Sequence, residues 1–130
     1  MKRTTVYIKD VDRAKFEKLV ARAVDKLPGE FREKHENVAV IVEDWPSAEL
    51  LEQMEVPQGN TLFGLYEGTP LTERGFQTPL HPDRIWIFQG PIEDECETDE
   101  EIIEEIETTI VHEVAHFFGL DDDYLEELGY

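Results

Sequence analysis

The feature that most restricts how this chain can fold is a long amphipathic segment near the C-terminus. Thr98, followed three residues later by Glu101, forms a capping-box pattern, and the acidic residues that open the segment suit the positive end of a helix dipole. Apolar residues then recur three and four apart, and Gly119 is a typical helix terminator. The apolar arc expected to face a sheet is Ile103, Ile106, Ile110, Val114 and Phe117, widened by Ile102, Val111 and Phe118. The pattern predicts a helix that runs to Phe118.

The rest of the chain predicts further helices and a small sheet. Residues 4–10 could form a short strand, and Asp12 is expected to cap a helix that the sequence PGE ends. Its apolar positions are Phe16, Leu19, Val20, Ala23, Val24 and Leu27. Strands are predicted at residues 37–45, 61–68 and 84–90, the first of them buried, with a short helix opened by Ser47 and a loop at 69–83. This order predicts an α+β fold: helices packed on a small mixed sheet of three to four strands.

Length and charge narrow the class of protein. At 130 residues the chain is expected to form a single domain, residues 1–130, with a buried core. The formal net charge is −19, and after residue 36 the only cationic residues are Arg74 and Arg84. Phosphate backbones require clustered cations, so a nucleic-acid partner is not expected. The same acidity favours a cationic peptide or protein.

The sequence also predicts a cytoplasmic protein. It has no apolar run near 18 residues, which a membrane-spanning helix requires, and no apolar stretch after MKR that would make a secretory signal. Cys96 is the sole cysteine and fits a reducing compartment. Because Cys96 lies in the acidic run EDECETDEE, with no base or cation beside it, we expect its thiol to be unreactive.

The helix carries two histidines at metal-binding spacing within HEVAHFFGLDDD, residues 112–123. His112 and His116 lie one turn apart and can both bind one Zn²⁺ through nitrogens at about 2.0–2.1 Å. Glu113 is too close in sequence to chelate with them comfortably. It can instead serve as general base towards a metal-bound water, whose pKa the metal lowers. Together with Thr109, these residues form one stripe beside the apolar arc.

A catalytic zinc usually has a third protein ligand and one open position. Gly119 can adopt the left-handed conformation that turns the chain sharply back after a helix. Asp122 follows three residues later and is the favoured third ligand. Asp121 and Asp123 compete for that role, and Asp123 with Glu126 could instead cap a final short helix.

The stretch reads H-E-x-x-H-x-x-G-x-x-D and resembles the zincin metallopeptidases, in the metzincin-like form with Asp in place of the third His. More closely, the chain resembles the bacterial minimal zincins, and GLYEGTPLTERG (64–75) and PDRIWIFQGPIED (82–94) contribute to that similarity. The resemblance implies a reduced zincin fold with a metal between His112, His116 and Asp122. It also implies an extended peptide paired with an edge strand, without indicating which strand. No Met follows Asp122 to form a Met-turn, and for oxyanion stabilisation Tyr66 and Tyr124 are candidates by chemistry alone.

Three functions remain in competition. The first is a zinc-dependent metallopeptidase, in which another divalent ion could replace Zn²⁺. The second is a zincin-fold module that binds a metal and a peptide or partner without useful hydrolysis. The third is a metal-dependent endoribonuclease of the RNA-maturation type, which shares the histidine spacing. Glu113, the lack of a histidine after His116 and the negative charge all disfavour the third. The oligomeric state is not predicted.

Overall fold

The protein is represented by a computed structural model that describes residues 5–35, 38–68 and 83–130. Within these residues the helices are α1 (Thr5–Asp25), α2 (Gly29–His35), α3 (Ala48–Gln53), α4 (Gln89–Glu95), α5 (Asp99–Phe118) and α6 (Asp122–Glu127). The strands are β1 (Val38–Glu43), β2 (Gly64–Glu67) and β3 (Asp83–Phe88). None of the helices in the described residues is long and apolar enough to cross a bilayer.

The three strands form one mixed sheet in the order β1-β3-β2. Strand β3 pairs parallel with β1, placing Ile85 opposite Val40, and antiparallel with β2, placing Ile85 opposite Tyr66. The prediction of an α+β fold with a small mixed sheet is confirmed. Strand β1 is half-buried and not buried as predicted, because it lies at one edge of the described sheet and has a single strand neighbour.

Helix α5 begins and ends where the capping pattern predicts. The Thr98 side chain accepts a hydrogen bond from the Glu101 amide at 3.1 Å, and Gly119 closes the helix with φ of 75°. The Glu101 carboxylate in turn accepts from the Glu97 amide at 2.7 Å. Most of the apolar arc is buried, but Phe117 and Phe118 remain more than 40% exposed. Phe117 stacks on the Tyr66 ring of β2 with the ring centroids 4.2 Å apart.

The N-terminal prediction is wrong. Helix α1 begins at Thr5 and continues to Asp25, so residues 5–10 are helical and Asp12 lies inside the helix instead of capping it. An isolated strand needs a neighbour for its backbone hydrogen bonds, whereas a helix satisfies them internally. Later turns of α1 are anchored by the buried side chains of Phe16 and Leu19. The β-branched residues before them favour a strand only weakly, so they continue the helix that these later turns establish.

The core joins α1, α2, α4, α5 and α6 with the sheet. Its largest fully buried members are Phe16, Phe31, Ile85, Ile87, Ile92, Ile106, Ile110 and Leu125.

Helix α4 was not predicted: the strand expected at 84–90 ends at Phe88, and Gln89 already begins α4. Proline in the first helical turn removes an amide that has no helical partner, so Pro91 is compatible with this helix. Residues 69–82 of the predicted loop lie outside the described residues, and Asp83 belongs to β3.

Candidate metal and catalytic site

The predicted stripe lies along α5 where that helix passes β2. Its opposite side is fixed in the core by Ile110, Val114 and Ala115, which have no exposed surface. Along the stripe Thr109 is buried, His112 and Glu113 are half-buried, and His116 is exposed. Burial therefore decreases towards the C-terminal end of α5, and the two histidines lie at the boundary between the core and solvent.

The Glu113 side chain is linked to the sheet by a hydrogen bond from a backbone amide of β2. The amide of Tyr66 in β2 donates a hydrogen bond to Glu113 Oε1 at 3.0 Å. Strand β2 pairs with β3 on its other side, where the Phe88 amide donates to the Phe63 carbonyl at 2.9 Å. Within the described sheet β2 is therefore the edge strand that lies beside the site, a point that the sequence left open.

Two glutamates of this region, Glu113 and Glu105, have raised pKa values. Burial raises the pKa of Glu113, while the Tyr66 amide and the positive forms of His116 and His112 act to lower that pKa. Burial also raises the pKa of Glu105, opposed by the Thr109 hydroxyl and by His112, whereas Glu95 raises that pKa further. Both imidazoles thus act electrostatically on the Glu113 carboxylate, and His112 also acts on the Glu105 carboxylate.

A cleft of about 650 Å³ opens beside His112 and Glu113. Its walls come from the chain before β2, from α4, from α5 and from the turn after β1. The described residues that line it are Trp45, Gly59, Asn60, Thr61, Leu62, Phe63, Gly64, Pro91, Asp94, Glu95, Glu105, Thr108, Thr109, His112 and Glu113. The cleft is large enough for one or two amino-acid side chains of an extended ligand.

The helix supplies two of the ligands that a divalent metal would need, His112 and His116. His112 and His116 lie one turn apart on α5, with the Glu113 carboxylate interacting with both. In the ranges 5–35, 38–68 and 83–130, however, no three His, Cys, Asp or Glu side chains are grouped so that they could hold a metal ion. Asp122 is exposed and is the first residue of α6. Its role as third ligand stays a prediction.

The other two aspartates also have defined positions. Asp121 is the residue that caps α6, since its side chain accepts a hydrogen bond from the Tyr124 amide at 2.9 Å. The suggestion that Asp123 caps this helix is therefore wrong, because the helix begins two residues earlier than that suggestion requires. With Asp121 held by its capping bond, Asp122 and Asp123 are the aspartates left without that constraint.

The two tyrosines considered for oxyanion stabilisation have partners elsewhere. The Tyr66 hydroxyl donates to Asp83 Oδ2 at 2.6 Å, and the Tyr124 hydroxyl donates to the Glu30 carboxylate. Neither tyrosine lines the cleft beside His112. The structure gives no support to either as an oxyanion donor.

Comparison with known proteins bears on the family and the fold. Residues 35–130 match the family described as Zincin-like metallopeptidase. The chain belongs to this family. A conserved hypothetical protein from Thermus thermophilus has a similar fold, with a TM-score of 0.53 and 22% identity over 90% of this chain and 96% of that one. No curated protein matches.

Several residues of this zincin-like site were not found from the sequence. Glu105 lies four residues before Thr109 and seven before His112, so the helical period that identified the stripe would also have placed Glu105 on it. Trp45 and Glu95 come from a turn and from an unpredicted helix. No local pattern connects either of them with α5.

Cys96 is expected to alkylate more slowly than an unhindered thiol. Burial, followed by the charges of Glu105, Glu101 and Glu95, raises the pKa of Cys96. A raised pKa leaves less thiolate at pH 7–8, and the thiolate is the reactive form. The iodoacetamide rate, measured by mass spectrometry against a cysteine peptide over a pH series, should be lower and rise at higher pH. A rate equal to that of the peptide at pH 7 would contradict this environment.

Proposed function

We propose that this chain is a metal-dependent peptidase that hydrolyses peptide bonds. His112, His116 and Asp122 would hold Zn²⁺ or another divalent ion, and Glu113 would act as general base. The observation that carries the proposal is the position of the Glu113 carboxylate: it follows His112 on α5, is held by the Tyr66 amide of edge strand β2, and lines an open cleft.

The hydrogen bond from β2 prepares Glu113 for proton transfer. The Tyr66 amide occupies Oε1, so Oε2 is available to accept a proton from the attacking water and to return it to the leaving amine. When bound, a divalent ion supplies a Lewis acid that polarises the scissile carbonyl and makes water a stronger nucleophile. Because its partner is a backbone amide of the sheet, the carboxylate is positioned by β2 itself.

The substrate proposed for this site is an extended peptide or protein segment. Residues 60–63 lead into β2 and line the cleft, so an extended segment could bind along them. The net charge of −19 favours substrates with cationic side chains. The cytoplasm, where a single cysteine remains reduced, is the compartment we propose.

Two measurements test the proposal. Purified without chelator, the protein should contain about one divalent ion per chain by elemental analysis, and His116→Ala should lower this content. A peptide library incubated with Zn²⁺, Mn²⁺ or Co²⁺ should be cleaved, and chelation should stop cleavage. Protein that binds no metal and cleaves nothing under all three ions would overturn the proposal.

One observation favours the alternative of a binding module. The hydroxyls of Tyr66 and Tyr124, the two candidates for oxyanion stabilisation, both donate to carboxylates elsewhere. Without such a donor a zincin fold can hold a metal and a peptide yet hydrolyse slowly. Stoichiometric metal and peptide binding without cleavage would identify this alternative.

A further inference from the structure

We propose that the cleft beside His112 and Glu113 receives a lysine or arginine side chain of the bound peptide, and that Trp45 forms the wall on which this cation rests. The inference deepens the proposed function and rests on it for the identity of the ligand as a peptide. It is carried by two features that do not depend on each other, namely the charge of the cleft and the position of the Trp45 indole.

The cleft is lined by several carboxylates. Four of its lining residues are carboxylates, Asp94, Glu95, Glu105 and Glu113, and none of the described residues that line it is Lys or Arg. Carboxylates that share one cleft repel one another. A cationic side chain in this cleft would lower that repulsion.

The position of the Trp45 indole, which lines this cleft, depends on the lack of a side chain at Gly90. A Cβ at Gly90 would lie only 2.2 Å from the Trp45 ring, so the indole rests directly on the glycine backbone. Trp45 nevertheless stays 52% exposed. An exposed tryptophan face beside carboxylates is a favourable contact for an ammonium or guanidinium group, which the electron-rich ring attracts.

The turn that carries Trp45 is fixed on both sides. The Gly90 amide donates to the Asp44 carbonyl at 2.8 Å. From α1, Arg13 pairs with the Asp44 carboxylate and donates to the Val42 carbonyl at 3.1 Å. These bonds hold the backbone on which the indole is carried, so the cleft wall exists before any ligand binds.

The test measures binding apart from cleavage. In a Trp86→Phe variant, Trp45 is the sole tryptophan, and its fluorescence reports on the cleft. Blocked alanine pentapeptides with a central lysine, norleucine or glutamate are titrated, while mass spectrometry follows cleavage. We expect the lysine peptide to bind about tenfold more tightly than the norleucine peptide and the glutamate peptide to bind weakest. Added salt should reduce the lysine preference.

Three variants separate the two features of the cleft. Trp45→Leu should remove most of the lysine preference, measured by calorimetry because the reporter is lost. Gly90→Ala keeps the indole but displaces it, and should have a similar effect. Glu105→Gln should weaken lysine binding by about two- to fivefold, whereas Glu104→Gln, an equal charge change at an exposed position of the same helix, should not.

The outcomes distinguish this inference from the proposed function. Lysine-selective binding without cleavage supports the inference and counts against the peptidase. Cleavage without a preference between lysine and norleucine overturns the inference and leaves the peptidase standing. Equal affinity for all three peptides, or no fluorescence response to any of them, also overturns the inference.

Discussion

Glu113→Gln is expected to lower peptide hydrolysis by about 10²–10⁴-fold, the range that general acid–base catalysis contributes. Glutamine has the same shape, and its side-chain oxygen can still accept the hydrogen bond that the Tyr66 amide donates to Glu113 Oε1. What the variant loses is the basic oxygen that takes a proton from water. The free energy of unfolding should therefore change little, and the measured effect should fall on kcat.

The matched control is Glu104→Gln, which removes an exposed carboxylate from the same helix outside the cleft. It should keep full activity. Metal content should be unchanged in both variants, because the proposed ligands are His112, His116 and Asp122. Hydrolysis that survives Glu113→Gln at the wild-type rate would show that this carboxylate is not the base, whatever the metal content.

Gly64→Ala is expected to destabilise the protein by about 1–3 kcal/mol, the range for overpacking a tightly packed site. A Cβ at this position would lie 2.7 Å from Thr109 Cγ2 and 2.8 Å from the Trp86 carbonyl oxygen. One of these neighbours is backbone of β3 and cannot move without disturbing the sheet. Strand β2 must therefore shift relative to α5, which would lengthen the bond between the Tyr66 amide and Glu113.

Gly29→Ala is the matched control for this substitution. Gly29 opens α2, and a Cβ there meets nothing within 4 Å, so urea unfolding should show little change. Adding Thr109→Ser to Gly64→Ala removes one of the two close contacts and should recover part of the lost stability. A Gly64→Ala protein as stable as the Gly29→Ala protein would contradict the close approach of β2 and α5.

Local sequence patterns predicted helix α5 accurately because its structure depends on neighbours in the chain. The Thr98 cap, the apolar period and Gly119 lie within one continuous segment, and each was found where predicted. The same periodicity placed His112, Glu113 and His116 on one side of the helix. Residues 4–10 were misjudged because their β-branched side chains indicate a strand only weakly, and residues 5–10 lie in a helix that later turns stabilise.

The sequence by itself determined the helix that carries the histidines and the candidate catalytic glutamate, since both follow from spacing along one chain segment, and its resemblance to the zincins indicated the family that the match over residues 35–130 shows. Only the tertiary structure decided that β2 is the strand beside the site, that its Tyr66 amide holds Glu113, and that Trp45 lines an acidic cleft. These contacts join residues about fifty to seventy positions apart in the chain. Their geometry depends on strand order and on close approaches at Gly64 and Gly90, which no local pattern of residues specifies.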